Sequence, residues 1–233
     1  MVRLLDMDII TFLKSNKQLL GKLSLALGMF LIASIGFAML ADEVHKGDTQ
    51  QFDVATLQAI HANASPAFDT FFLAYTELGG VMIVAAVTMA VVGYLWFTAR
   101  RYKALLLFFA VGGAAFVNYV LKFIFERARP DLWTHLVEET SFSFPSGHAM
   151  GSSAFAFGIV AILWNTKWRP LAIVLSGLYV VSIGLSRLYL GVHYPTDILA
   201  GWLLSLVWVA FIASFVYIRM HRKGKTPRDT KKT

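Results

Sequence analysis

Apolar residues run through this sequence in stretches that are long enough to cross a lipid bilayer. Hydrophobic residues make up 57% of the 233 residues and charged residues only 15%, which is too apolar for a soluble domain of this length. A transmembrane helix needs about 20 mostly apolar residues. Six stretches reach or approach this length, the fourth being the shortest: 23–40, 78–97, 104–125, 148–164, 170–190 and 198–218. We therefore predict an all-α polytopic membrane protein, with six transmembrane helices in one bundle and a single domain over residues 1–233.

The distribution of Lys and Arg predicts how the bundle is oriented. With six spans, the N-terminal residues 1–22, two short loops near 98–103 and 165–169, and the tail 219–233 lie on one side of the membrane. They carry 16 of the 21 Lys and Arg, so the positive-inside rule predicts that this side is cytoplasmic. Both termini would then be cytoplasmic, and segment 41–77 would form short interfacial helices on the outer side. In that segment Phe52, Leu57 and Ile60 have spacings that favour one helical face, and Ser65-Pro66 can open a second short helix. The compact size favours the inner membrane of a bacterium as the location.

The formal net charge of +7 suggests a nucleic-acid partner as an alternative. The basic tail, however, directly follows a predicted span and lacks interleaved aromatic residues, so topology and the anionic lipid of the inner leaflet explain it better. We therefore predict membrane lipids as partners and no nucleic acid. The oligomeric state stays open.

The first group of charged residues stands at the end of the third predicted span, in the segment KFIFERARP. Lys122 and Arg129 are seven residues apart, close to two helical turns, so both can point the same way if the helix continues towards Arg129. Pro130 disfavours helical backbone in the residue before it, so the helix is predicted to end near there. Taken alone, a basic flank on a span is an ordinary feature.

The second motif is the tetrapeptide PSGH, residues 145–148, at the start of the fourth predicted span. Ser146 suits the N-cap position, and Gly147 and His148 would open the helix, leaving unpaired backbone N–H groups towards the external side. Such a helix end can bind an anion. Taken alone, the same tetrapeptide is also a simple capped helix start.

The third motif is SRLYLGVHYPTD, residues 186–197, where the fifth predicted span gives way to the sixth. Gly191 suits the end of one helix, and Pro195 suits the first turn of the next. Asp197 in that first turn can reach back to one ring nitrogen of His193, fix its tautomer and leave the other nitrogen free to attack. A His–Asp pair at this spacing is also a common structural hydrogen bond.

The three motifs are predicted to lie on one face of the membrane, where their residues can act together. They supply three cations, an anion-binding helix end, two histidines and one orienting carboxylate. Phosphoryl transfer needs neutralisation of the non-bridging oxygens, an in-line nucleophile and an acid for the leaving group, so the combination indicates this chemistry. Three fixed cations with one carboxylate are a poor ligand set for Mg²⁺, and no metal cofactor is predicted.

These residues resemble the three signature motifs of the type 2 phosphatidic acid phosphatase family. The pattern K-x6-R-P is matched by Lys122, Arg129 and Pro130, P-S-G-H by residues 145–148, and S-R-x5-H-x3-D by residues 186–197. All three match without departure, and with the six spans the resemblance covers most of the chain. It implies a helical bundle, a metal-independent enzyme without a cofactor, and a lipid phosphate substrate such as phosphatidylglycerophosphate, phosphatidate or undecaprenyl diphosphate.

The same resemblance implies a role for each matched residue. His193 would be the nucleophile that forms a phosphohistidine, and Asp197 would orient it and stabilise its charge. His148 would protonate the leaving group. The residues implied to hold the phosphate are Lys122, Arg129, Ser146, Gly147 and Arg187.

Other conspicuous residues are predicted to stand outside this chemistry. Asn118 is assigned to close helix packing. Four histidines without a matching partner are predicted to be solvated or structural: His45, His61, His135 and His221. A role in a lid or headgroup pocket is the alternative for five residues: Glu126, Arg127, Asp131, Trp133 and Phe142.

Two rival functions stay open at this point. A six-span carrier or channel would be expected to have polar groups near mid-bilayer or paired broken helices, whereas the motif charges stand at one interface. A lipid phosphotransferase would use the same residues as a phosphatase, and the release of inorganic phosphate would separate the two. The natural lipid and its number of phosphates also stay open.

Overall fold

The regular secondary structure is all helical in residues 17–224, the part of the chain that this computed structural model describes. No β-strand occurs in that range, so the predicted all-α class is confirmed. One 3-10 helix, Glu77–Gly79, separates two of the α-helices. The α-helices are α1 Lys17–Lys46, α2 Gln50–His61, α3 Pro66–Thr76, α4 Val81–Phe97, α5 Arg101–Phe125, α6 Gly147–Leu163, α7 Arg169–Tyr189 and α8 Pro195–Gly224. Predictions for residues 1–16 and 225–233, and for the side chain of His221, lie outside the described residues.

Helix length and hydropathy show which elements can cross a membrane. Among the described residues, four helices are long and apolar enough to cross on their own. A fifth span can be added if Pro66–Gly79 and Val81–Phe97, which meet at a bend of 43°, form one broken span. Helix α6 has 17 residues; at about 1.5 Å per residue it is about 25 Å long, short of the roughly 30 Å hydrocarbon core. The protein is a multi-pass membrane protein, but the predicted number of six spans is not confirmed. Within residues 17–224 the four helices that qualify alone are Ser24–Lys46, Arg101–Phe125, Arg169–Tyr189 and Pro195–Arg219.

Segment 41–77 is mostly helical, and its second short helix begins as predicted. The Ser65 hydroxyl caps α3, and Pro66 is the first residue of that helix. Of the three apolar residues expected on one face of α2, Leu57 is fully buried, Ile60 is partly buried and Phe52 is 57% exposed. Asp53 of the same helix is fully buried among polar partners that are described below.

Helix α6 stands at the centre of the fold and packs against α5, α7 and α8. Gly201 of α8 permits a close approach to the start of α6, since a Cβ there would lie 3.1 Å from backbone atoms of Ser146 and Met150. The first turns of α8 are thereby held against the first turn of α6. Apart from Met150 and Ile162, the buried residues of α6 are small, which lets the neighbouring helices come close: Ala149, Ser152, Ser153, Ala154, Ala156 and Gly158.

Large apolar side chains cover much of the outside of the bundle. Ile32 of α1, Met82 of α4 and Phe116 of α5 are 76%, 83% and 68% exposed. An exposed apolar surface of this kind is unfavourable in water and suits contact with lipid chains. The outer surface therefore agrees with a membrane location.

The helix ends that carry the three motifs meet at one end of the bundle. Residues 126–146 join α5 to α6, and residues 190–194 join α7 to α8. The two connections touch, because Arg129 in the first lies 3.2 Å from His193 in the second. The predicted convergence of the motifs is therefore present in the fold.

Candidate active site

A buried histidine–aspartate pair forms the centre of the site. His193 lies in the turn between α7 and α8 and is 1% exposed, and Asp197 lies in the first turn of α8 and is fully buried. The turn needs glycine at Gly191, where φ is +72° and a Cβ would lie 2.7 Å from the Trp133 ring. Asp197 Oδ2 lies 3.3 Å from His193 Nδ1, so the predicted contact is present.

Three further groups hold the Asp197 carboxylate in place. Its Oδ2 accepts hydrogen bonds from the Ser143 hydroxyl and, at 2.9 Å, from the backbone N–H of Tyr194. Its Oδ1 accepts a hydrogen bond of 2.6 Å from Arg127. Because both oxygens are engaged by donors, the carboxylate is fixed in one orientation relative to His193.

The other nitrogen of His193 faces a cation. Nε2 lies 3.2 Å from a guanidinium nitrogen of Arg129, which can only donate, so the partners assign the proton to Nδ1 and leave a lone pair on Nε2. Burial lowers the pKa of His193 to about 4, although Asp197 acts in the opposite direction. The ring is therefore neutral at neutral pH, with Nε2 available as a nucleophile.

Lys122 and Arg129 lie close together, but not for the reason that the sequence suggested. Helix α5 ends at Phe125, and Glu126 takes a left-handed conformation with φ of 43°, so the helix does not continue towards Arg129. The two side chains instead share Ser141: Lys122 Nζ lies 3.2 Å from its hydroxyl, and Arg129 Nε donates to its carbonyl at 2.8 Å. The extended chain after α5 thus brings the second cation back to the first.

Arg187 and Arg129 are joined by a carboxylate. Glu139 accepts a hydrogen bond from Arg187 through Oε1, and its Oε2 lies 3.2 Å from Arg129. Burial acts to raise the pKa of Glu139, but the two guanidinium groups outweigh it and hold the pKa below its usual value. Arg187 is 2% exposed, and its Nε has no hydrogen-bond partner among the described residues. An oxyanion bound by both arginines would therefore have to displace or share the place of Glu139.

The PSGH segment begins α6 as predicted. Ser146 is the N-cap residue, and its Oγ accepts a hydrogen bond of 3.4 Å from the N–H of Ala149. Asn118, which the sequence assigned to packing, is buried and donates a hydrogen bond of 3.0 Å to the carbonyl of Pro145. A Cβ at Gly147 would lie 3.3 Å from the Asn118 side-chain oxygen, so this amide packs closely against the start of α6.

His148 lies in the first turn of α6 and is half-buried. It is within electrostatic range of Arg187, Glu139 and His193. The second histidine of the sequence motifs therefore shares the site with the first. Together the three motifs provide one neutral ring nitrogen, a second imidazole, three cations and a helix N-terminus within one small region.

Two of the five residues considered for a lid or headgroup pocket, Arg127 and Trp133, have contacts around the His193–Asp197 pair. The side chain of Arg127 is only 12% exposed and binds Asp197 Oδ1, the carboxylate oxygen that does not contact His193. Trp133 lies over Gly191 and stacks on His61, with 3.9 Å between the ring centroids. His61 therefore does have a partner, and the stack covers the His193 turn.

Sequence reasoning missed Asp53, Ser143 and Glu139, which touch residues of the motif segments, and it considered Arg127 only for a lid or headgroup pocket. It also missed Thr76 and Ser141, which bind Arg187 and Lys122. Ser143 is two residues before the PSGH tetrapeptide, and Arg127 is two residues before Arg129, so nearness to a motif was the available signal. Asp53 and Glu139 had no such signal. As for metals, no group of three or more His, Asp or Glu side chains suited to a metal ion is found in residues 17–224.

Comparison with known proteins gives a consistent result. The family model described as the PAP2 superfamily matches residues 103–221. Phosphatidylglycerophosphatase B of Bacillus subtilis is 32% identical over 184 residues, which cover 77% of this chain and 90% of the relative. Undecaprenyl-diphosphatase of Sulfolobus acidocaldarius is 29% identical over 190 residues, covering 79% and 86% of the two chains.

A solved structure is also similar. The crystal structure of a transmembrane PAP2 type phosphatidylglycerolphosphate phosphatase from Bacillus subtilis superposes with a TM-score of 0.73 at 29% sequence identity. The match covers 85% of this chain and 98% of the other. The likeness therefore extends over the helical fold as well as the matched sequence region.

Proposed function

The chain belongs to the PAP2 superfamily of phosphatases, and from this membership we propose that it hydrolyses lipid phosphates through a phosphohistidine on His193. The observation that carries the proposal is the neutral, buried imidazole of His193, whose Nε2 faces Arg129 and whose Nδ1 contacts Asp197. The relatives are named for phosphatidylglycerophosphate and undecaprenyl diphosphate. We propose these lipids, together with phosphatidate, as the candidate substrates.

In the proposed first step, Nε2 of His193 attacks phosphorus. A bond forms between nitrogen and phosphorus, the ester or anhydride P–O bond breaks, and His148 gives a proton to the departing oxygen. The ring becomes positively charged, and Asp197 stabilises it through Nδ1–H. In the second step water attacks phosphorus, its proton passes to His148, and the N–P bond breaks with the electron pair returning to Nε2.

The proposed phosphate-binding residues are the cations around this ring. Arg129 and Arg187 both contact Glu139, whose carboxylate is an anion in the region where the phosphate oxygens would bind. A guanidinium can hold two oxygens of a phosphate at once, and preorganised cations stabilise the charge of the transition state. We assign the same binding role to Lys122, Ser146 and the N–H of Gly147.

Hydrolysis and metal independence are tested together by measuring inorganic phosphate. The purified protein in detergent is given phosphatidylglycerophosphate, phosphatidate and undecaprenyl diphosphate, with and without excess EDTA. We expect phosphate release from at least one of them, at a rate that EDTA leaves unchanged, because Lys122, Arg129 and Arg187 already supply the neutralising charge. Loss of activity on chelation with rescue by Mg²⁺ would contradict the proposal, and activity only with an added lipid acceptor would indicate a phosphotransferase.

We further propose that the bundle has six spans, with α6 as one span and the bent pair of α3 and α4 as another. The site would then face the outside of a bacterial inner membrane, and both termini would be cytoplasmic. The uneven distribution of Lys and Arg supports this orientation.

Orientation can be tested by labelling, because the chain has no cysteine. Glu138 in the 126–146 connection and Lys167 between α6 and α7 are both exposed. In intact cells a membrane-impermeant maleimide is expected to label Glu138→Cys at once, and Lys167→Cys only after the inner membrane is permeabilised. The reverse pattern would overturn the proposed topology.

A further inference from the structure

Arg127 connects the Asp197 carboxylate to a helix outside the motif region. One terminal nitrogen lies 2.6 Å from Asp197 Oδ1 and 2.8 Å from the Thr196 hydroxyl, and the other lies 2.7 Å from Asp53 Oδ2 in α2. The guanidinium also lies over the Tyr194 ring, 4.2 Å from its centroid. A single cation is thus shared by two carboxylates that are distant in sequence.

Asp53 also binds the beginning of α8 directly. Its Oδ1 accepts a hydrogen bond of 3.1 Å from the Thr196 backbone N–H, and its Oδ2 accepts one of 2.7 Å from the Thr196 hydroxyl. The N–H groups in the first turn of a helix have no partner within the helix, so Asp53 satisfies one of them from another element. Helix α2 is therefore attached to the turn of α8 that carries Asp197.

The energetics of such a network favour a role in the site over a role in stability. Asp53 and Asp197 are fully buried, and the desolvation of buried ion pairs offsets much of their attraction. Well-packed apolar side chains often give equal stability at such positions. The arrangement that apolar residues cannot reproduce is the fixed orientation and partial neutralisation of Asp197.

We propose that Arg127 and Asp53 are positioning residues, which hold the Asp197 carboxylate against His193 and set how much of its negative charge the ring experiences. Segment 41–77, which contains α2, then contributes to the function of the site as well as packing on the bundle. This inference rests on the proposed function, in which Asp197 stabilises the positive charge that His193 acquires during phosphoryl transfer.

The two charges of the network act on the ring in opposite directions. Without the cation of Arg127, Asp197 would act on His193 with its full charge and raise the pKa of the ring. Without the charge of Asp53, Arg127 would neutralise Asp197 more completely and lower that pKa. The other charged or titratable groups near the ring stay unchanged in both cases: Lys122, Arg129, Glu139, His148 and Arg187.

The test compares Arg127→Gln and Asp53→Asn with the wild type in detergent micelles, using whichever of phosphatidylglycerophosphate, phosphatidate and undecaprenyl diphosphate the wild type hydrolyses fastest. We expect kcat to fall about 10- to 100-fold in both variants, as for a small displacement of a reacting group, with KM changed less than about 2-fold. The acid limb of the kcat/KM profile should move to higher pH in Arg127→Gln and not in Asp53→Asn. A purely structural role would lower the active fraction in both without separating the two profiles.

A matched control is available in the same segment. Asp69 of α3 also binds a core helix, accepting a hydrogen bond of 2.6 Å from Tyr189, but it is not in the Asp197 network. We expect Asp69→Asn to keep the wild-type kcat and pH profile. If Arg127→Gln and Asp53→Asn behave like Asp69→Asn, the inference is wrong although the proposed function stands. If the wild type hydrolyses no lipid phosphate, the proposed function itself has failed.

A second variant covers the case in which a single substitution prevents folding. The double variant Asp53→Leu with Arg127→Met removes both charges and replaces the ion pair with apolar side chains that can pack together, so it is expected to fold. Its thermal unfolding in detergent reports this directly. A folded double variant should still show the lowered kcat, and a wild-type kcat in that protein would overturn the inference.

Discussion

His193→Ala is expected to reduce lipid phosphate hydrolysis to below about 1% of the wild-type rate, because no other described group can replace its Nε2 as the phosphoryl acceptor. The lone pair of Nε2 lies beside Arg129, and Nδ1 is turned towards Asp197. Alanine removes both nitrogens. Water or Lys122 would have to attack without a general base held in line, which is a much slower reaction.

This experiment is read from the release of inorganic phosphate, with His45→Ala as the matched control. His45 is exposed near the end of α1, so its loss should leave the rate unchanged. Elution in detergent and the thermal midpoint show whether His193→Ala is folded. Retention of more than a few per cent activity by a folded His193→Ala protein would remove His193 as the nucleophile.

The parts of the site that could be read from the sequence are those built from local spacing. His193 and Asp197 are four residues apart, with Gly191 before them and Pro195 between them. Glycine with positive φ ends one helix and proline begins the next, so the geometry of the pair follows from a few neighbouring residues. The N-cap at Ser146 is local in the same sense.

The Lys122–Arg129 pair shows where local reasoning stops. The seven-residue spacing was interpreted as two helical turns, and Pro130 indicated an end near Arg129. The helix ends four residues earlier, where Glu126 takes a left-handed conformation. A non-glycine residue in that conformation is uncommon, so propensity gives no warning of it, and tertiary contacts such as that of Ser141 stabilise the path instead.

Contacts between distant segments account for the residues that were missed. Asp53 and Thr196 are 143 positions apart, and no periodicity relates them. The sequence therefore predicted a face of α2 from its apolar residues alone, Phe52, Leu57 and Ile60. A buried carboxylate that is paired with Arg127 can occupy an inner position that apolar spacing does not predict.

Asp197→Asn is expected to be nearly as damaging, for a reason that the geometry makes specific. Every partner of the carboxylate is a donor: His193, Ser143 and Tyr194 at Oδ2, and Arg127 at Oδ1. The amide of asparagine has one oxygen and one NH₂ group, so in either orientation its NH₂ meets a donor. These partners predict that an amide cannot hold the ring in place without losing a hydrogen bond.

We therefore expect kcat of Asp197→Asn to fall by about 10⁴-fold, as when the orienting carboxylate of a catalytic histidine is replaced by its amide. Asp197 raises the pKa of His193 against the effect of burial, so its loss lowers that pKa further and moves the acid limb to lower pH. The slow rate thus cannot be explained by a protonated ring. Asp42→Asn, at a carboxylate 59% exposed and paired with Lys46 on α1, is the control. Near-normal turnover in a folded Asp197→Asn protein would show that the positive charge on His193 needs no partner, and the pair would lose its assigned role.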